Sequence, residues 1–522
     1  MYKKDRFCQF GLTDFNQPLG MKMNPENRWV KKAELIPWNE IEDRYANLFP
    51  SKTGMPAKPL RMALGSLIIQ KQYDYSDREL VEQLTENPYY QYFIGLHGYQ
   101  QEAPFVPSLL VEFRKRLTDD ILGEINEMII AFNHPDDNTP SSGDSNGKSG
   151  TNPEKQETTS EEQKTNPEEQ ETHPEEQKKP NSGTLLIDAT CAPQHIAFPQ
   201  DINLLNEARE NLEMMIDTLC YEYNEAKPRT YRRTARTDYL ALAKCKKRTK
   251  KKIRKAIKKQ LQYVRRDLSY IDRYLAEGKE LSTKQLYRLG VIRKVYEQQK
   301  YMYDNNVRSV PDRIVSISQP YIRPIVRGKA KTPTEFGAKL DMSLDNNGMA
   351  RIEKQSFDAY NESDVLISAI ERYYERTGCY PERVLADKIY RNRKNLTYCK
   401  AHGIRLSGPA LGRPKKDPSE DRKITYKDAV DRIEVERGFS LAKRCYGLGL
   451  IRTKLDTTTR SSIMMSIIAM NVDRISALSF CDFYKIDLSM YKIGRIVTRI
   501  ILRLRPDNCI WKMLKPAWSL LA

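Results

Sequence analysis

The chain has 522 residues, 39% of them hydrophobic and 30% charged, with a net charge of +18 at pH 7. That length supports two or three domains with sizeable cores, while no uninterrupted apolar run approaches the ~20 residues a membrane span needs. A balance this basic points to a polyanionic partner, the alternative being a merely basic protein with no nucleic-acid role.

The nine cysteines show no CxxC pair and the five histidines form no cluster. A disulfide framework and a zinc site are therefore both disfavoured, and free thiols in a reducing cytoplasm are expected. Any metal chemistry has to rest on carboxylates. MYKKDRF at the start has no apolar region after it and does not read as a secretory signal.

Residues 1–133 read as an all-α domain. PLRMALGSLIIQKQY (59–73) has helical apolar spacing, Ser76 and Glu79 form a capping-box pair ahead of the next helix, Asn87-Pro88 breaks that helix, and 112–132 is a further amphipathic helix. Helix, turn and helix in a basic chain fit either a DNA-binding module or a bundle used for packing and assembly. Residues 134–183 repeat NPEKQET, NPEEQET and HPEEQK with almost no apolar side chains, the pattern of a disordered acidic linker. Residues 135–182 carry five Lys against twelve Asp and Glu, so the rest of the chain holds a net charge near +25.

Residues 184–455 change character. TLLIDATCA (184–192) is an apolar strand carrying Asp188. A helical insertion follows, about 203–305, containing KCKKRTKKKIRKAIKKQ (244–260). Two alternating runs then flank Asn346-Asn347-Gly348, a hairpin signal. After them come a helix at 364–378, a strand RVLADKIY at 383–390 with Asp387, a helix at 392–403, a strand at 404–412 and a helix at 425–447. Three antiparallel strands followed by strand–helix alternation predict a mixed α/β sheet with flanking helices. Residues 456–522 form a helical tail, basic and amphipathic towards its end, that serves core packing, assembly or DNA contact.

In such sheets the carboxyl ends of strands face the active crevice, where Asp188 and Asp387 stand. In RIEVERGFSLAKRCYGLG (432–449), Arg432, Glu436 and Lys443 share one helix face at 3.6 residues per turn, and Glu434 lies on another. An aspartate at a strand end also serves as a turn former, and a helical glutamate as a surface charge. Three carboxylates together, however, make an oxygen-rich site of the kind Mg²⁺ prefers, and two such ions can act on both oxygens of a phosphodiester displacement. No loop has P-loop spacing.

The 184–210 segment, the 384–416 segment and RIEVERGFSLAKRCYGLG each resemble parts of insertion-sequence DDE transposases, and 59–84 is similar to their helical N-terminal domain. The resemblance implies a ribonuclease H-like catalytic fold with Asp188, Asp387 and Glu436 as the metal-binding triad. It implies Mg²⁺, with Mn²⁺ as a substitute, most naturally as two ions. It also implies that Arg432 and Lys443 grip phosphates of double-stranded DNA beside the scissile bond. Where the family signature has a tyrosine three residues before the arginine, this chain has Ala429. The implied reaction is hydrolytic nicking at a transposon end followed by attack of the freed 3′-hydroxyl on target DNA, by a homo-oligomer in the bacterial cytoplasm at the nucleoid. The residues leave two rivals: a metal-dependent nuclease that does not join, and a non-catalytic DNA-binding descendant. Lys250, Lys251 and Arg254 in the insertion, Lys415 and Lys416 in LGRPKK, and Arg444 beside Lys443 are further expected DNA contacts.

Overall fold

The computed structural model describes residues 2, 4, 9–17, 20, 22–49, 56–134, 180–326, 334–408 and 419–484, with side chains of the last stretch over 422–479. Most of the acidic linker, Lys415 and Lys416, and the tail past 484 lie outside the described residues.

Among these, α1 (Arg28–Glu34), α2 (Trp38–Ala46), α3 (Leu60–Tyr73), α4 (Asp77–Glu86), α5 (Pro88–Phe93), α6 (Leu109–Arg116) and α7 (Asp119–Asn133) precede the sheet. The capping box is formed: Ser76 N donates to the Glu79 carboxylate at 2.8 Å and Glu79 N to Ser76 Oγ at 3.3 Å. Asn87 ends α4 and caps α5, with Pro88 at the first helical position, where its missing N–H costs nothing. Every residue of α3 from Leu60 to Gln70 is buried, so it has no face left for a DNA groove. The exposed side chains of α4 are Arg78, Glu79, Glu82 and Glu86, an acidic face that phosphates would repel. These two helices are packed into the core rather than offering a basic face.

The sheet begins with β1 (Thr184–Pro193). The insertion follows as α8 (Asp201–Glu222), α9 (Arg232–Ala243), α10 (Lys250–Ala276) and α11 (Thr283–Asp304), helices that enclose an apolar core of their own around Leu212, Val264, Ile271 and Ile292. β2 (Pro324–Val326), β3 (Thr334–Leu344) and β4 (Ala350–Ser356) come next. The β3–β4 turn is the expected one. Gly348 has φ +70°, a backbone conformation that favours glycine, and a Cβ there would also displace the Arg474 guanidinium. After α12 (Leu366–Thr377) come β5 (Arg383–Leu385), α13 (Arg393–Ala401), β6 (Arg405–Leu406) and the long helices α14 (Ser419–Cys445) and α15 (Asp456–Tyr484).

β3 pairs antiparallel with β1 on one side and with β4 and β2 on the other, and β5 and β6 continue parallel to β1, giving a mixed sheet in the order β2-β3-β1-β5-β6 with β4 beside β3. The expected antiparallel-then-alternating order is present, but β5 is shorter than the apolar run suggested. Asp387 turns the chain after Leu385 by accepting from Lys388 N at 2.7 Å, starting a short 3-10 turn, Lys388–Tyr390.

The period-two alternation of β1 separates two faces. Leu185 and Ile187 pack with α12, α13 and Tyr390, whereas Leu186 packs with Met342, Leu344 and Val435 of α14. That second core runs on without interruption through α15 into α1–α7. Ser461, Ser466 and Asn471 let α15 pass through it with their polar atoms satisfied. Ser461 donates to Arg114 O, Ser466 to Ser462 O, and Asn471 links Asn126 of α7 to Ala350 of β4. IMMSIIAM (463–470) is therefore the middle of the molecule, and residues 456–479 are its shared core rather than an appended tail.

Candidate functional site: β1 and β5 beside helix α14

α14 runs in the same direction as β1 and β5, fixed by ion pairs at its first half. Asp428, buried, accepts from Arg405 of β6 at 2.5 and 2.8 Å, and Asp431 accepts from Arg383 of β5 at 2.8 Å. With that end set by β5 and β6, each further helical turn meets a later position along β1. Gly438 permits the close approach: a Cβ there would stand 3.1 Å from Met342 Cε of β3. That tight fit supports the packing reading of this glycine.

Asp188 and Thr190 follow Leu186 on the α14 face, and Asp188 stands in the middle of β1 rather than at its expected end, because pairing with β3 carries the strand on to Pro193. Lys443 donates to Thr190 Oγ1 at 2.8 Å. Three turns back, Arg432 pairs with both other carboxylates, with Nη1 3.4 Å from Asp387 Oδ1 and Nη2 3.8 Å from Glu436 Oε1. Asp188 is largely enclosed, and burial raises its carboxyl to about 6. A hydrogen bond from Ala189 N and the Arg432 charge oppose the rise, and the Asp387 and Glu362 charges add to it. Two of the three expected acids, Asp387 and Glu436, thus pair with one guanidinium whose charge reaches Asp188, although among the described residues no three carboxylate, histidine or cysteine side chains gather tightly enough to hold a metal ion. Oxygen donors of this kind fit a hard divalent cation in chemistry. The cation that Asp387 and Glu436 share is instead Arg432.

Glu434 stands apart. It pairs with Arg437 and with Arg474 of α15, each at 3.3 Å, bracing α14 against the β3–β4 turn, where Arg474 donates to Asn347 O. Ala429 and Arg444 are exposed. Lys250 and Lys251 are exposed near the start of α10, among Lys246, Lys247, Lys252 and Lys255, a distinctly basic tip. Arg254 differs from them: it lies 4.1 Å over the Tyr303 ring and donates to Asn306 at 3.3 Å, so part of its role is structural. Sequence reasoning missed Asp341 of β3. It is wholly buried and accepts from Tyr390 at 2.6 Å and also from Tyr360. Its only signal was an acid inside a strand flanked by Leu340 and Met342.

Residues 384–473 match the family described as a transposase DDE domain, a stretch that includes Asp387, Arg432, Glu436 and Lys443 and begins after Asp188. Residues 18–116 match the family described as a transposase domain (DUF772). The chain is 33% identical over 111 residues to an uncharacterized protein, ORF8 of the nfe locus of Rhizobium meliloti, covering 21% of this chain and 53% of that protein. The chain thus spans about half the length of this curated relative. No solved structure matches at a significant level. Among the described residues no helix is long and apolar enough to cross a membrane. Both transposase matches stand on one chain in the order the resemblance implies, and together they support a DDE-type transposase of insertion sequences.

Proposed function

We propose that this chain is a DNA transposase that cleaves strands at transposon ends and joins the freed 3′-hydroxyl to target DNA, using Asp188, Asp387 and Glu436 on a ribonuclease H-like core. The observation that carries the proposal is the arrangement around Arg432, where one guanidinium lies against Asp387 and Glu436 and its charge reaches Asp188. The strand order, an antiparallel β4-β3-β1 unit continued by parallel β5 and β6, supports the ribonuclease H-like reading.

Asp188, Asp387 and Glu436 would hold Mg²⁺, or Mn²⁺ in its place. Bound there, a pair of divalent ions supplies charge neutralisation for both oxygens of the displacement and an activated water for the first cut. The chain's own groups do the rest. Arg432 pairs with Asp387 and Glu436 in the free protein, and on DNA it turns to a phosphate, releasing the two carboxylates. Lys443, held at Thr190 two residues beyond Asp188, places a second cation beside the same phosphodiester. Phosphoryl transfer depends mainly on such positioning and electrostatic stabilisation. The basic tip of α10 tracks duplex DNA beyond the site through phosphate contacts, and the working species on DNA is a homo-oligomer.

The test uses a plasmid carrying this element with its native flanks. With Mg²⁺, the wild-type chain should nick the ends and join them to a second plasmid. Asp387→Asn and Glu436→Gln should lose both steps by on the order of a thousandfold or more while still shifting end DNA in a gel. Cutting without joining of pre-cut ends would make the chain a nuclease. Full activity of Asp387→Asn would remove the proposed site.

A further inference from the structure

Asp387 must be held precisely in place if it is to serve the reaction proposed above, yet its local support is slight. β5 is three residues long, and the Asp387 side chain is about half exposed, touching only Lys388 N and Arg432 in the described contacts. Three residues on, however, Tyr390 is completely buried and donates its hydroxyl to Asp341 Oδ1 at 2.6 Å. The other Asp341 oxygen accepts from Tyr360.

Asp341 is well placed for such a tie. It is the register partner of Ala189, the residue after Asp188, while Met342 pairs with Asp188 itself. Strand alternation sends Met342 to the α14 face and Asp341 to the opposite face, where Tyr390 packs with Ile187, Leu366 and Ile370. One strand pair therefore carries Asp188 towards the site on one side and, on the other, the acceptor that fixes the turn bearing Asp387. A buried carboxylate whose two oxygens each receive a hydroxyl is both satisfied and rigid.

We infer that Asp341, through Tyr390, is a positioning residue that sets the distance between Asp188 and Asp387 from beneath the sheet, and so tunes how the pair receives a divalent cation. This rests on the proposed metal role of the two aspartates.

The comparison is between Tyr390→Phe and Tyr360→Phe in the full chain. Each removes one hydroxyl from the same carboxylate, but only Tyr390 is joined to the Asp387 turn. Mn²⁺ binding followed by electron paramagnetic resonance should weaken about tenfold in Tyr390→Phe and stay within about twofold in Tyr360→Phe, the size expected for groups that orient metal ligands. Amide exchange, read without metal, should quicken over residues 386–392 in Tyr390→Phe alone. Equal effects of the two variants, or none in Tyr390→Phe while Asp387→Asn abolishes Mn²⁺ binding, would overturn the inference. If Asp387→Asn leaves Mn²⁺ binding intact, the metal reading itself fails and the inference falls with it. Should Tyr390→Phe not fold, Asp341→Asn, which keeps one accepting oxygen, replaces it with the same expected direction in both readouts.

Discussion

Asp267 of α10 shows how a single side chain can bind stability to pH. It is fully buried in the insertion, with Oδ1 3.3 Å from Arg266 and Oδ2 without a partner. Burial pushes its carboxyl up to about 7, only partly opposed by Arg266. Because the folded value lies above the unfolded one, the protonated form's contribution to stability is fully present below about pH 4 and is lost as pH rises through about 7. Asp267→Asn should therefore melt progressively higher than wild type between pH 5 and pH 8, with little change in the difference below pH 4. Each unit of pKa difference is worth about 1.4 kcal/mol. Parallel melting curves across that range would refute the assignment. That Asp188 lies in an apolar strand, Asp387 just after another and Glu436 on the Arg432 face of a helix was legible in the sequence, because apolar runs and helical spacing are local patterns. Asp341 and Asp267 were not, since an acid in a strand or helix ordinarily faces solvent and only the tertiary packing encloses these two.

At the scale of elements, α15 and α10 make opposite demands. Asn471 of α15 accepts from Ala350 N at 2.9 Å and donates to Asn126 and to Ala350 O, each at 2.8 Å. Asn471→Leu would strand these partners in the core, at a cost of roughly 2–4 kcal/mol for several buried polar groups left unpaired, measurable as a lower denaturation midpoint with unchanged m-value. A loss under ~0.5 kcal/mol would show the network to be idle. The exposed start of α10 is built for solvent or phosphate. Lys250→Glu with Lys251→Glu should weaken duplex binding and reduce the slope of log affinity against log salt by about two, read by fluorescence anisotropy, without lowering thermal stability. An unchanged slope would take the insertion off the DNA path. Element types were largely readable from periodicity, as for the β3–β4 hairpin, α12 and α13. The lengths of β5 and β6 and the burial of α15 were not, because both follow from what packs against them.

For the whole molecule, the continuous apolar core that joins α1–α7, α15 and the α14 face of the sheet decides what can be separated. The low-complexity stretch suggested two bodies, and packing makes them one. Two chains broken between 150 and 160 should co-purify when co-expressed and melt in one transition near that of the intact chain. Residues 1–150 alone, with the buried surfaces of α3, α6 and α7 left uncovered, should aggregate. A soluble, monomeric 1–150 fragment with an intact helical spectrum would contradict the shared core.

The insertion answers to the opposite rule. Pro193, at the end of β1, is the register partner of Gly337 near the start of β3, so the chain leaves the sheet and returns to it at adjoining points. Between them α8–α11 keep a separate apolar interior. A unit attached at one doorway can lengthen, shrink or be replaced without moving the strands that frame it. Variation in size among related chains should accumulate there, and a graft of this bundle onto a shorter relative would move its basic tip while leaving the strands that carry Asp188 and Asp387 as they were.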